Sequence, residues 1–364
     1  MSKYIAFFVS SFNVGGVERA FVNLANGFVA SGHKVDFIAN QDIGQLRQEL
    51  DEQVNVIVFK DGRLRKSVFQ LYKYIKGSSV DCLIAGPTYP NIIALIANLL
   101  SFKKTKVIVS QHSYQDIEMS NLGLIGRLAP FLIKLTYNFA HKVVTVSEGV
   151  RRDMIANYNV RSDKAVTIYN AVLDAQFYQK SNEKVDSINE KIIGSKPFIV
   201  AVGRLEVVKN YSFMLKTFAR IKSDNPDFPF DLLILGEGAE RSAIENKIKE
   251  LNLQNSVYLL GTMANPLPII KRAKLFIHTS FSEAMPLVYV EVLALKVPVV
   301  TINNKGAEEI LMDVQPKEIV DSHDEQKFIA AIIRMLDTKF ATDDFPKFEQ
   351  FESEKIKDLF LEII

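Results

Sequence analysis

The chain has 364 residues, 48% of them apolar and 24% charged, with a formal net charge of +2. That size and apolar share fit two hydrophobic cores, and a near-neutral balance gives no reason to expect a nucleic-acid partner. A single cysteine, Cys82, excludes an intramolecular disulfide and any cysteine-cluster metal site, and it points to a reducing cytoplasm.

Lys3 precedes a six-residue apolar run, Tyr4 to Val9, too short for a signal-peptide core and read as the first buried strand. Gly15 and Gly16 then open a helix, where backbone amides approach a phosphate or an acceptor with no Cβ in the way. No G-x-G-x-x-G occurs, which argues against a dinucleotide fingerprint. Glu18, in the first turn, reads either as compensation of the helix dipole or as an acceptor contact. Further strands are expected at Lys34 to Ile38, Asn55 to Phe59, Asp81 to Ala85, Lys106 to Ser110, Lys142 to Val146 and Ala165 to Ile168, several of them separated by helical patterns. The uncharged stretch from Cys82 to Phe102 is long enough to span a membrane. Gly86, Pro87, Pro90 and Asn91 instead divide it into a strand, a turn and a helix (Asn91 to Leu100). His112 is the one histidine in a loop expected to face ligand; His33, His141, His278 and His323 match nothing of that kind.

Leu122 to Lys142 is nearly all apolar, with Arg127, Lys134, His141 and Lys142 interspersed, and Lys103, Lys104 and Lys106 precede it. It reads either as a basic amphipathic element lying on anionic lipid or as a buried helix pair with basic ends. Residues 1–182 carry 21 Lys/Arg against 14 Asp/Glu, a net +7, so this half is expected to face an anionic surface or substrate.

The polar stretch from Tyr178 to Ser195 reads as a linker. A second strand series follows at Phe198 to Val202, Leu232 to Leu235, Val257 to Leu260, Leu275 to His278 and Val297 to Val300. The expected division is 1–177, a linker at 178–195, 196–345, and a terminal helix at 346–364. In the second series the strand ending at Val202 runs into Gly203-Arg204-Leu205-Glu206-Val207-Val208-Lys209-Asn210, with Arg204 and Lys209 at the ends of the loop. An Arg fork and a Lys point charge suit a diphosphate that gains charge as it leaves. Phe276 to Thr301 carries Glu283 and Glu291 as E-x7-E. Pro286 stands near the start of a helix whose first amides, Met285 to Val288, are placed to meet an anion.

Taken together, S-x-x-E-A-x-P-x-x-x-x-E (Ser280 to Glu291), V-G-R-L-x-x-x-K-N (Val202 to Asn210), L-G-E-G (Leu235 to Gly238), L-G-T (Leu260 to Thr262) and N-x-G-G-V-E-R (Asn13 to Arg19) resemble glycosyltransferase family 4, a retaining family of GT-B architecture. The resemblance spans most of the chain and is similar to bacterial enzymes of surface-polysaccharide and lipid-linked-oligosaccharide assembly. It implies an α/β fold of two Rossmann-like doubly wound domains facing across a cleft, with the terminal helix crossing back to the first.

It also implies a set of site residues. Arg204 and Lys209 would hold the donor diphosphate, Glu283 and His112 the donor sugar, and Glu291 the ribose. Gly16, Gly238, Met285, Pro286 and Leu287 would line the donor site by backbone, and Gly15, Glu18 and His112 would lie toward the acceptor. Ala284 and Lys296 stand where the family usually has glycine. The donor implied is a nucleotide-diphosphate sugar, a UDP-sugar in the first instance, although backbone near Gly238 and Gly261 offers no side chain that selects the base. The acceptor implied is a glycan, lipid-linked or soluble, and the setting a cytoplasmic protein with peripheral contact at the inner face of the cell membrane.

No D-x-D occurs, Asp116-Ile117-Glu118 and Asp343-Asp344 being the nearest approaches, so neither a metal nor a resident cofactor is expected. Two other readings stay open: a sugar-nucleotide epimerase on paired Rossmann domains, and a catalytically silent subunit.

Overall fold

A computed structural model describes residues 2–13, 15–59, 64–114, 128–194, 196–312 and 314–364 of the chain. They form two compact units, residues 1–172 with 349–364, and residues 173–348.

The first unit runs β1 (Tyr4–Val9), α1 (Gly16–Ala30), β2 (Lys34–Ala39), β3 (Asn55–Val58), α2 (Leu64–Gly77), β4 (Cys82–Ala85), α3 (Thr88–Ser101), β5 (Lys106–Gln111), α4 (Ala129–Thr136), β6 (Lys142–Thr145), α5 (Glu148–Tyr158) and β7 (Ala165–Thr167). Its seven strands are all parallel, in the order β3-β2-β1-β4-β5-β6-β7. A parallel sheet is covered on both faces, which is why its strands read as continuous apolar runs. Ile5, Phe7, Phe37, Cys82, Ile84 and Ile108 form the centre of a core to which α1 adds Phe21, Leu24 and Phe28. Burial pushes the Cys82 thiol up to about 12, so it is an inert core group.

The second unit runs α6 (Ala175–Lys180), α7 (Ser187–Ile193), β8 (Phe198–Val202), α8 (Tyr211–Asp224), β9 (Asp231–Leu235), α9 (Arg241–Glu250), β10 (Val257–Gly261), α10 (Leu267–Ile270), β11 (Leu275–His278), α11 (Leu287–Ala294), β12 (Val299–Ile302), α12 (Lys305–Leu311), β13 (Lys317–Val320) and α13 (Glu325–Asp337). Six parallel strands take the order β10-β9-β8-β11-β12-β13. The last helix, α14 (Ser353–Ile363), packs in the first unit, where Ile356 and Phe360 join the core beside α1.

Two expectations are corrected. Residues 178–195 are not an open linker: α6 and α7 lie within the second unit, tied down by Arg272–Glu190 at 2.8 Å and by Asn265 donating to the Lys180 carbonyl at 2.8 Å. Each of these helices starts at an aspartate cap, Asp174 or Asp186, whose carboxylate accepts from the first-turn amides, a local signal that polar composition obscured. The second sheet has a further edge strand, β13, whose Lys317 and Glu318 look like loop residues because an edge strand is only half covered. The region from Cys82 to Phe102 forms β4, a turn and α3, and no helix among the described residues is long and apolar enough to cross a membrane. Of the Leu122 to Lys142 element, residues 122–127 lie outside the described residues, as do Asp116-Ile117-Glu118.

Candidate active site

In an open parallel sheet, chain direction reverses where consecutive strands are added to opposite sides, and the loops leaving those two strands diverge to open a crevice. In the second unit that point lies between β8 and β11, which pair as Ile199 with Leu275 and Val200 with Phe276. The loop after β8 carries Arg204 and Lys209, and the loop after β11 carries Glu283. Strand order therefore brings together residues 74 positions apart: the Lys209 ammonium lies 2.5 Å from Glu283 Oε1, with both side chains largely buried.

Backbone contacts hold the two loops together. Phe281 donates its amide to the Val208 carbonyl at 2.9 Å, the Ser280 hydroxyl donates to the same carbonyl at 3.0 Å, and the Thr279 hydroxyl donates to the Lys209 carbonyl at 2.9 Å. The loop after β9 closes on the other side. Leu205 donates to the Glu237 carbonyl at 2.8 Å, and a Cβ at Gly238 would collide with the Leu205 backbone. Here glycine is required by close approach of two main chains.

Glu283 lies in the loop ahead of α11, and Glu291 stands half-buried inside that helix. Part of their separation is therefore turn, not helix. Pro286 is the residue before the first helical position, so the leading amides of α11, Leu287 and Val288, have no partner inside the helix, while Tyr289 donates to the Pro286 carbonyl at 3.0 Å. Sequence reasoning missed Gly306 on α12. A Cβ there would stand 2.7 Å from Pro286 Cδ and 2.9 Å from the Glu283 carbonyl, so the glycine sets how closely α12 backs the Glu283 loop. Arg204 is not brought onto this pair: it is 76% exposed and bonds Glu206 at 2.8 Å.

His278 was also missed. It ends β11, the carboxyl edge where side chains meet ligand, and its Nε2 lies 3.3 Å from Glu283 Oε1. Burial by itself would push the Glu283 carboxyl up. The His278 imidazole and the Lys209 ammonium outweigh it and hold the pKa at about 2, so Glu283 is ionised at neutral pH. Burial lowers the His278 pKa, only partly countered by Glu283, so the ring is neutral.

In the first unit, Gly15 is the residue before α1, Gly16 is its first residue, and a Cβ at Gly16 would meet open space. Glu18 lies in the first turn, folded back over Gly15. His112 follows β5 with Nε2 2.8 Å from the Ser110 hydroxyl, its ring edge-on to Phe21 at 5.8 Å. Its Nδ1 is buried without a hydrogen-bond partner, and desolvation lowers its pKa to about 3. A neutral imidazole with one uncommitted nitrogen is equipped to exchange a hydrogen bond with a hydroxyl, not to hold a charge. Among the described residues no group of His, Cys, Asp and Glu is arranged to hold a metal ion.

Residues 14–175 match the model of Glycosyltransferase Family 4, and residues 183–351 match that of Glycosyl transferases group 1. Among curated proteins, the chain is 26% identical over 344 residues to the N-acetylgalactosamine-N,N'-diacetylbacillosaminyl-diphospho-undecaprenol 4-alpha-N-acetylgalactosaminyltransferase of Campylobacter jejuni, covering 92% of this chain and 90% of that one. A second C. jejuni protein, an alpha-1,4-N-acetyl-D-galactosaminyltransferase named for a GalNAc-GalNAc-diNAcBac-PP-undecaprenol substrate, is 26% identical over 380 residues, covering 99% and 98%. Among solved structures, Anabaena HepE in complex with UDP and glucose superposes with a TM-score of 0.80 at 18% identity, covering 99% of this chain and 98% of that one.

Proposed function

This chain belongs to the glycosyltransferases, with family 4 and group 1 domains in a GT-B architecture, and from that premise we propose that it moves a hexose or N-acetylhexosamine from a nucleotide-diphosphate sugar, a UDP-sugar, to a polyprenyl-diphosphate-linked glycan during assembly of a surface polysaccharide. The single observation that carries the reading is the Lys209–Glu283 pair, buried where the β8 and β11 loops diverge. An anionic donor meets a cation and helix amides there, and its sugar hydroxyls meet a carboxylate kept ionised. The undecaprenol-linked substrates in the relatives' names support the acceptor class, and the UDP bound by HepE supports the donor class.

In this reading Lys209 and Arg204 neutralise the diphosphate, Arg204 leaving Glu206 to do so. The leading backbone of α11 at Met285, Pro286 and Leu287 and the turn at Gly238 flank it, Glu291 binds the ribose, and Glu283 accepts from a donor-sugar hydroxyl. On the first unit the proposed groups are His112 and the backbone at Gly15 and Gly16, with Glu18 beside them. The transfer is a retaining one. The C1–O bond to the diphosphate breaks, the acceptor oxygen bonds C1 on the same face, and the acceptor proton leaves with the nucleoside diphosphate. Charge on the departing phosphate is met by Lys209, Arg204 and amides without a metal.

A peripheral contact with the cytoplasmic face of the membrane completes the proposal. It is supported by exposed Leu99, Leu100 and Phe102 at the end of α3 and Leu128, Phe131 and Leu135 on or beside α4, with Lys103, Lys104 and Lys134 exposed among them.

The test incubates the chain with UDP-sugars and a polyprenyl-diphosphate-linked glycan and determines the anomeric configuration of the product. An α-linked product from an α-configured donor is expected. A β-linked product overturns the retaining assignment, an epimerised sugar nucleotide without transfer favours the epimerase, and donor binding without turnover favours the silent subunit.

A further inference from the structure

We propose that His278 is a positioning residue for Glu283, and that Tyr289 holds it in the tautomer this requires. The inference rests on the glycosyltransferase reading of the Glu283 site and assigns a residue that the motifs do not contain. His278 is enclosed on every side: its ring stacks on Phe276 at 5.9 Å and meets Tyr289 edge-on at 5.3 Å. Nδ1 lies 2.7 Å from the Tyr289 hydroxyl, which lies 2.7 Å from the Thr301 hydroxyl, and Nε2 lies 3.3 Å from Glu283 Oε1. A row of polar groups thus runs from the sheet interior to the carboxylate, through three neighbouring elements, β12, α11 and β11.

Two proton arrangements fit these distances. In one, Nδ1 donates to Tyr289, Tyr289 to Thr301, and Thr301 to the Ile302 carbonyl at 3.0 Å. A neutral ring then turns an Nε2 lone pair toward a carboxylate, and like charge density at 3.3 Å repels. In the other, Thr301 donates to Tyr289, Tyr289 to Nδ1, and Nε2, buried and 3.3 Å from Glu283 Oε1 without an aligned hydrogen bond, carries the hydrogen and faces the carboxylate. The ionised carboxylate selects the second.

The arrangement matters because Lys209 and His278 approach the same oxygen, Oε1. Among the described residues nothing donates to Oε2, which leaves that oxygen for a sugar hydroxyl. When Lys209 turns to a donor diphosphate, a buried carboxylate with no other partner would take up a proton and lose its aim. The imidazole sits on a strand and cannot follow Lys209, so it keeps Glu283 ionised and oriented. The charged groups acting on His278 are Glu283 and Lys209 at the loop; Phe276 on its own strand and Tyr289 on α11 pack against the ring, and Thr301 and Asn304 stand behind the Tyr289 hydroxyl.

The experiment has two arms. Long-range 1H–15N NMR of the whole chain at neutral pH should find His278 neutral and protonated on Nε2, and in Tyr289→Phe the ring should lose that single tautomer. An Nδ1–H ring, or one that titrates like an exposed histidine, overturns the proposal with no need of turnover. Steady-state transfer is the second arm. Tyr289→Phe, which removes one oxygen without changing shape, should lower kcat about tenfold with the donor KM nearly unchanged, and should move the acid limb of the rate profile upward. His278→Leu should lose about a hundredfold, and His278→Gln, which keeps an amide donor, should recover part of it. Wild-type kcat in all three variants, or losses that track melting temperature alone with the pH profile unmoved, overturns the role. A wild-type chain that turns over no nucleotide sugar counts against the glycosyltransferase reading itself, and the NMR arm still decides the tautomer.

Discussion

Glu283 and Lys209 are legible in the sequence as two charges in two motifs, and the structure makes them partners at 2.5 Å. Removing either takes charge from a site and apolar contacts from neither core. Glu283→Gln and Lys209→Ala are therefore expected to fold, with lowered melting temperatures because each leaves a buried partner without its counter-charge, and to lose about 100-fold to 1,000-fold in transfer rate, as for loss of one preorganised stabiliser. Near-normal turnover in both would remove the site assignment. The histidines set the acid behaviour. His112 is held at about 3 by desolvation and His278 is shifted in the same direction, so each is neutral in the folded chain and gains a proton below about 6.5 once unfolded. Stability is then full above that pH and falls as pH drops toward 3, by up to ~1.4 kcal/mol per pH unit for a histidine wholly barred from protonation. Glu283, depressed to about 2, adds its own loss only as pH falls from about 4.5 toward 2. Urea midpoints at pH 7 and pH 5 should show the fall, and His112→Phe should flatten it. An unchanged slope in that variant would mean His112 is readily protonated in the fold.

At the scale of elements, the end of α3 is where local preference is overruled. Phe102 follows the helix with φ of 53°, a left-handed conformation that suits glycine, and it is 94% exposed. A bulky aromatic there carries backbone strain and gains no core contacts in return, which folding alone does not explain. The strain fits a ring presented to lipid between Leu100 and the lysines that follow. Phe102→Gly should raise the melting temperature by roughly 2–4 °C, the effect of about 1 kcal/mol in a domain of this size. It should at the same time weaken co-sedimentation with anionic vesicles. A variant that is less stable, or that binds vesicles as well as wild type, would return Phe102 to an ordinary helix end.

For the molecule as a whole, charge is divided unevenly: +7 over residues 1–182 against a total of +2. Vesicle binding is therefore expected to need anionic lipid and to weaken with salt, since each basic residue near such a surface contributes on the order of 1 kcal/mol and is screened beyond about 10 Å at 0.1 M salt. Changing Lys103, Lys104 and Lys134 to Glu should abolish it. Transfer should persist in excess chelator, since the proposed donor site meets the diphosphate with Lys209, Arg204 and helix amides. A strict requirement for magnesium or manganese would contradict that arrangement.

The sequence by itself determined the two strand series, because strands buried on both faces read as unbroken apolar runs whatever packs on them. It also singled out Arg204, Lys209, Glu283 and the tight glycines, since they stand in short motifs whose spacing is local. It missed α6 and α7, where polar residues masked aspartate caps, and β13, where a half-covered edge resembles a loop. The tertiary structure alone decided that Lys209 meets Glu283 and that His278 and Gly306 stand behind it. Those contacts depend on β11 being laid beside β8, a choice of strand order made by the packing of a whole sheet and written in no single stretch of the chain.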